Sequence, residues 1–144
     1  MPMIRECIVT TQNDEGRLHV APLGLIEDGA GWVIAPFRPS ATLDNLRATP
    51  FAVASFTDDA LVFAGCLTGN KDWPTRPAEQ VPGAFLVGAL AHLELAVEHV
   101  EEDELRPRFH CRIVHEGNHA PFKGFNRAQA AVIETAILAT RLKM

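Results

Sequence analysis

Trp32–Asp59, WVIAPFRPSATLDNLRATPFAVASFTDD, decides how the rest of the chain is read. Trp32 to Ala35 is a β-branched and aromatic run closed by Pro36, which predicts a strand. Arg38, Ser40 and Thr42 then place one cation and two hydroxyls within five residues. Leu43 to Ala48 has room for about two helical turns. Pro50 ends them, because the residue before a proline avoids the α region. Phe51 to Phe56 is strand-like again. A helix start carries unpartnered N–H groups and partial positive charge, so hydroxyls and a guanidinium there suit an anion the size of a phosphate. The same residues also have a plainer use, with Ser40 or Thr42 capping the helix and Arg38 in solvent.

Upstream, Glu6 to Thr11 is a β-branched run with Cys7 and Val9 on one face and Ile8 and Thr10 on the other. Asn13-Asp-Glu-Gly16 is turn chemistry, and Arg17 to Ile26 returns as the second strand of a hairpin. His19 lies in that strand, either as a cross-strand polar group or as a ligand contact. Pro22 cannot donate to a ladder, so backbone groups near it are candidates to face a ligand instead. Asp28-Gly-Ala-Gly31 is a tight turn into the central stretch.

Downstream, Asp58-Asp59 turns the chain and Ala60 to Ala64 reads as a brief strand. Gly65 to Gly83 reads as a long loop holding Pro74, Pro77 and Pro82, with Trp73 as its packed anchor. Ala89 to Val100 fits both strand alternation and helical spacing. Glu101-Glu-Asp-Glu104 is a solvated turn, since adjacent carboxylates repel. Phe109 to Val114 is a last strand. Asn126 is an N-cap, with Gln129 placed for a capping-box exchange. The helix that follows, Ala128 to Leu142, carries Phe125, Ala128, Val132, Ala136, Ala139 and Leu142 as one apolar stripe. Ile133 and Ile137 widen it, and Arg127, Glu134 and Arg141 form a narrow polar strip. A helix apolar over most of its girth is buried on more than one side.

Two parts of the chain resemble a known family. Thr42-Leu-Asp-Asn-Leu-Arg47 followed by Phe51-Ala-Val-Ala-Ser55, after a hairpin containing His19-Val-Ala-Pro-Leu-Gly24, is similar to the flavin reductase-like FMN-binding split barrels. Near the C-terminus, Lys123-Gly-Phe-Asn-Arg-Ala128, Ala131-Val-Ile-Glu134 and Ala136 to Leu142 add a second match. Together they resemble one branch, the domain-of-unknown-function family numbered 447. The resemblance implies a mainly β fold with helices, an FMN-binding split barrel with a C-terminal helix. It selects a strand for Ala89 to Val100.

It also implies FMN as cofactor, held between the subunits of a homodimer. Its phosphate would lie on Arg38, Ser40 and Thr42, with Asn45 supporting the loop. Its ring would run past His19, Ala21, Pro22, Leu23 and Gly24, with Asn126 as a further contact and Lys123 and Arg127 nearby to add positive charge. The implied activity is that of a flavin-dependent oxidoreductase or flavin reductase-like protein. Its redox partner is unknown, and methanopterin-linked one-carbon metabolism is one expected setting. A flavin carrier without turnover and a barrel-type interaction module stay open as alternatives. The resemblance further implies more chain beyond Leu142.

The chain's 144 residues predict one domain, 1–144. Thirteen basic against eighteen acidic residues give a net charge of −5, which argues against a nucleic-acid-coating role. No apolar run reaches the roughly 18 residues of a membrane span. The N-terminus lacks the layout of a secretory signal. Cys7, Cys66 and Cys111 are widely spaced and odd in number, which suits single thiols in a reducing cytoplasm. No dinucleotide fingerprint, phosphate-binding lysine loop or nucleophile elbow is present. His110, His115 and His119 were the histidines spaced to converge on a metal. No fourth ligand stands out beside them, so no metal is expected.

Overall fold

The computed structural model describes residues 3–29, 31–70 and 72–141. Ala30 of the Asp28–Gly31 turn and Leu142 of the apolar stripe lie outside them, as does the side chain of Arg141.

Among the described residues, eight strands and three helices follow in order: β1 (Ile4–Gln12), β2 (Leu18–Asp28), β3 (Gly31–Ile34), α1 (Ala41–Ala48), β4 (Phe51–Phe56), α2 (Ala60–Leu67), β5 (Thr75–Pro77), β6 (Ala84–Leu86), β7 (Ala91–Glu101), β8 (Arg108–Asn118) and α3 (Arg127–Arg141). Six of the strands close into an antiparallel barrel in the order β1-β2-β3-β8-β7-β4, with β4 returning to β1. β5 and β6 form a separate small hairpin.

A six-stranded barrel is narrow enough for side chains to fill it. Cys7 and Val9 of β1, Ala52 and Ala54 of β4, Leu93 and Leu95 of β7 and Phe109 and Cys111 of β8 meet inside. Leu43 and Leu46 of α1 close one end of this core. The β1 alternation holds as expected, but its second face is buried too: Ile8 packs with Val62, Phe63 and Cys66 of α2 and Leu86 of β6. Ala91–Glu101 is a strand, paired with both β4 and β8.

Several expectations need correction. Ala60 to Ala64 is helical, part of α2. A short all-apolar run has no period to distinguish strand from helix, and Asp59 decides it by accepting the Leu61 N–H at 3.0 Å as an N-cap. The Gly65–Gly83 segment is not one loop, because it contains the end of α2 and one strand of the β5–β6 hairpin. Pro77 is tolerated there on a three-residue edge strand. Trp73 is the packed anchor expected, bonded through its indole N–H to Asn70 O at 2.9 Å and set against the α2 cluster.

The acidic turn is solvated as expected, and two of its carboxylates are also tied down. Glu102 pairs with Arg38 at 3.1 Å and Arg47 at 2.8 Å. Asp103 accepts the N–H groups of Leu105 and Arg106. On α3 the body-facing side is Gln129, Ile133, Ala136, Ile137 and Thr140, whereas Ala128, Val132 and Ala139 of the expected stripe are exposed. Both arcs of the helix are apolar, so spacing alone did not say which one docks.

Candidate functional site

The length of β3 shapes the site. β1 pairs with β2 along nine residues, from Ile4↔Ile26 to Gln12↔Leu18. β3 has four residues and reaches only Ile26, Glu27 and Asp28 of β2. Among the described residues no strand pairs with Leu18–Leu25 on that side. The side of Pro22–Gly24 that faces away from β1 therefore carries no strand ladder among the described residues.

A cavity of about 330 Å³ opens beside this gap. Pro22, Leu23 and Gly24 form its strand wall, Phe37 and Arg106 a second wall, and Ile133, Ala136 and Ile137 of α3 its cover. The Arg106 guanidinium lies 4.1 Å over the Phe37 ring, a cation–π contact. Its Nε donates to Ala35 O at 2.9 Å. No carboxylate pairs with it among the described residues. Burial lowers its pKa, helped by the nearby charge of Arg108. Arg106 is positioned by the acidic turn, where the Asp103 carboxylate accepts the N–H of Arg106 at 2.7 Å and of Leu105 at 2.9 Å. Those two bonds hold the Asp103 carboxyl below its ordinary range.

Phe37 leads directly into the expected phosphate loop. Ser40 is the N-cap of α1, its hydroxyl oxygen accepting Leu43 N–H at 3.1 Å. Thr42 is buried within the first turn, and Asn45 is buried with its amide donating to Thr11 Oγ1 at 3.2 Å. Arg38 is exposed and occupied, donating to Glu102 at 3.1 Å and to Asp103 O at 3.0 Å. The Arg47 hydrogen bond leads the causes that depress the Glu102 carboxyl. Asn45 thus supports the fold beneath the loop, while Ser40 and Arg38 sit at its surface.

The remaining expected residues are placed elsewhere. His19 lies opposite Thr11 on β1, and Ala21 opposite Val9; neither lines a described cavity. Asn126 accepts Gln129 N–H at 3.0 Å as the cap of α3 and borders a larger, open cavity of about 980 Å³ floored by Trp32, Phe56 and Leu93. Lys123 and Arg127 are exposed and line neither cavity. The structure therefore gathers Pro22, Leu23 and Gly24 with Phe37 around one cavity, while Arg38, Ser40, Thr42, Asn45, Lys123 and Arg127 line neither described cavity.

The sequence reading missed Phe37 and Arg106. Phe37 has no sequence signal beyond its place between Pro36 and Arg38, and Arg106 stands between an acidic run and Pro107 with nothing to say which way it faces. It also missed His92 and Glu94, two polar residues at i, i+2 on one strand face. Once Ala91–Glu101 is a strand, that spacing marks a shared face. Of the three histidines considered as metal ligands, His110 lies apart. It pairs with Asp28 and Glu101 and stacks on His99 at 4.2 Å. His115 and His119 stand beside His92.

This architecture, a closed six-stranded barrel with an unpaired β2 flank, is the split-barrel fold of flavin reductase-like proteins. Residues 5–120 match the family described as "Protein of unknown function (DUF447) N-terminal domain", and the chain belongs to that family. The FMN-bound protein MM1853 from Methanosarcina mazei superposes with a TM-score of 0.81 at 19% identity, over 97% of this chain and 75% of that one. The NADH:FAD oxidoreductase SgcE6 of Streptomyces globisporus gives 0.69 at 14% identity, over 83% of this chain and 77% of that one. The styrene monooxygenase flavin reductase of Pseudomonas putida S12 gives 0.62 at 16% identity, over 78% and 77%. None of the curated proteins matches the chain in sequence. Among the described residues no helix is long and apolar enough to cross a membrane.

Proposed function

We propose that this chain binds FMN and works as a flavin reductase-like oxidoreductase. The observation that carries the reading is the unpaired flank of β2, opening at Pro22–Gly24 onto a cavity walled by Phe37 and Arg106. A flavin ring offers carbonyl and N–H groups along its edge, which suit a strand edge without a ladder. Its faces suit the apolar cover of Ile133 and Ile137. Arg106 stands where a fixed cation would tune the ring's electronics. The phosphate would lie on the Arg38–Thr42 loop, which continues from Phe37. Ser40 and Arg38 would be its surface contacts, with Thr42 offering a first-turn N–H. Arg38 would exchange Glu102 for the phosphate, a small loss because that ion pair is solvent-exposed.

When bound, FMN supplies the hydride and electron chemistry. The chain's residues hold the ring, exclude water with α2 and α3, and fix charge beside it. The similarity in fold to an FMN-bound Methanosarcina protein, an NADH:FAD oxidoreductase and a flavin reductase supports the reading. A homodimer belongs to the proposal as well. Phe125 is 92% exposed and Leu138 54%, and with Phe122 and Val132 they leave apolar surface on and before α3 that a two-fold partner would cover. On such an interface Lys123 and Arg127 would bring positive charge toward the partner's loop. Three thiols buried singly agree with a reducing, cytoplasmic setting. The methanopterin link rests on the family resemblance alone.

The test compares FMN with riboflavin, which lacks the phosphate. Arg38→Ala combined with Ser40→Ala removes two contacts worth roughly 1–3 kcal/mol each, and every 1.4 kcal/mol is about tenfold in affinity. The pair should weaken FMN on the order of a hundredfold and riboflavin little. Equal losses would place the phosphate elsewhere. Thermal melts of the ligand-free variants control for the lost Ser40 cap. Oxidation of a reduced nicotinamide by the FMN-loaded protein would separate a reductase from a carrier.

A further inference from the structure

A second polar centre lies on the opposite outer wall of the barrel, under the β5–β6 hairpin. His92 and Glu94 project outward from β7 at i, i+2, and His115 of β8 stands in register with Glu94. His92 is 1% exposed and Glu94 0%. Burying an imidazole and a carboxylate together is costly unless something needs them there. One donor atom from each of His92, Glu94 and His115 falls within 4.8 Å of the others. Tetrahedral coordination at about 2.0–2.2 Å sets donors roughly 3.3 Å apart. His115, only half-buried, has the freedom to close that difference.

We propose that His92, Glu94 and His115 form a binding site for a divalent transition cation such as zinc. The surroundings are those a metal site needs beyond its ligands. His92 Nε2 faces Glu94 Oε2 at 2.8 Å, and its Nδ1 faces His119 Nε2 at 2.7 Å. With Nε2 on the metal, Nδ1 carries the proton and donates to His119, which fixes the tautomer and the ring plane. The Glu94 carboxylate is oriented by the N–H groups of Glu79 at 2.9 Å and Gln80 at 2.6 Å. Phe85 stacks on His92 at 4.1 Å and keeps that face dry. Gly117 is required beside it, since a Cβ there would come within 2.5 Å of His92 Cε1. The Glu79 carboxylate, 3.5 Å from His115 Nε2, is within reach as a fourth ligand. Two imidazoles with one or two carboxylates suit zinc, iron(II) or manganese(II).

The site shares no residue with the cavity beside β2, and its test needs no flavin. Untagged full-length protein, freed of metal and of FMN, is titrated with Zn²⁺ by calorimetry and with Co²⁺ by visible absorption. One Zn²⁺ per chain is expected, with Co²⁺ bands of a four- or five-coordinate ion and a raised melting temperature. His115→Ala, at a half-exposed position that should fold, should weaken Zn²⁺ at least tenfold and abolish the rise in melting temperature. Glu94→Gln should do the same, and His119→Ala should weaken binding about tenfold. His110→Ala, on the other side of β8's histidine set, should bind as the parent does. Absence of stoichiometric Zn²⁺ binding by the parent protein overturns the proposal, and so does undiminished binding by His115→Ala.

Discussion

The two outer walls of this barrel are built on opposite principles. Along β2, from Leu18 to Leu25, no strand pairs on one side among the described residues, and the space beside Pro22–Gly24 holds Phe37 and Arg106, which has no carboxylate partner among them. Along β7, His92 and Glu94 are fully covered and both Glu94 oxygens are engaged. One wall keeps hydrogen-bonding capacity open to a ligand, while the other spends it on holding a hairpin and an ionisable cluster in place. Mutations on the first wall should therefore cost flavin binding, and mutations on the second the stability of the metal-free protein.

The largest expected effect is on the closed wall. Glu94→Ala leaves buried His92 Nε2 and the N–H groups of Glu79 and Gln80 without their partner, and removing one partner of a buried pair costs about 3–5 kcal/mol. Urea unfolding of metal-free protein checks it; a loss under about 1 kcal/mol would mean that the wall is not closed as described. Gly117→Ala comes next. Its methyl overlaps the His92 ring, and overpacking of this kind costs about 1–3 kcal/mol, read by the same unfolding curves.

On the open wall the order reverses. Arg106→Ala should leave the unfolding midpoint nearly unchanged and weaken both FMN and riboflavin about tenfold, as loss of one charge-assisted contact implies. A variant that unfolds early yet binds flavin normally would erase the contrast between the walls. The smallest effect concerns the turn that carries Arg106. The Asp103 carboxyl is held below its ordinary pKa by the N–H groups of Arg106 and Leu105. With the folded value depressed, its contribution is present above the unfolded pKa, about 3.9, and is lost as pH falls through the folded one. Flavin affinity should thus fall slightly only once the pH drops through that depressed folded value, below the ordinary Asp range, and Asp103→Asn should remove that part of the acid response.

The barrel strands were legible because β1, β2, β4 and β8 alternate or run apolar between clear turn residues, and α1 because Ser40 and Pro50 bracket it. Ala91–Glu101 needed the family resemblance, since Leu90, Leu93, Val97 and Val100 satisfy both periods. α2 was misread because eight apolar residues carry no period, and the arc of α3 that docks was hidden because both arcs are apolar. At the site, Pro22 marked the gap in β2 because a missing N–H can be read from sequence. Arg106 could not be found that way. Its role depends on Asp103 folding the turn back to place it over Phe37, nearly seventy residues away in the chain. Glu94 and His115 meet only through the register of β7 on β8.

Flavin uptake tests the central claim most directly. Purified protein is equilibrated with FMN, exhaustively dialysed, and its visible spectrum compared with that of free FMN at equal concentration. One FMN retained per chain, with absorption bands shifted by the cavity beside Pro22–Gly24 and fluorescence altered, is the predicted result. A colourless protein after dialysis, with FMN fluorescence unchanged during titration, would contradict it.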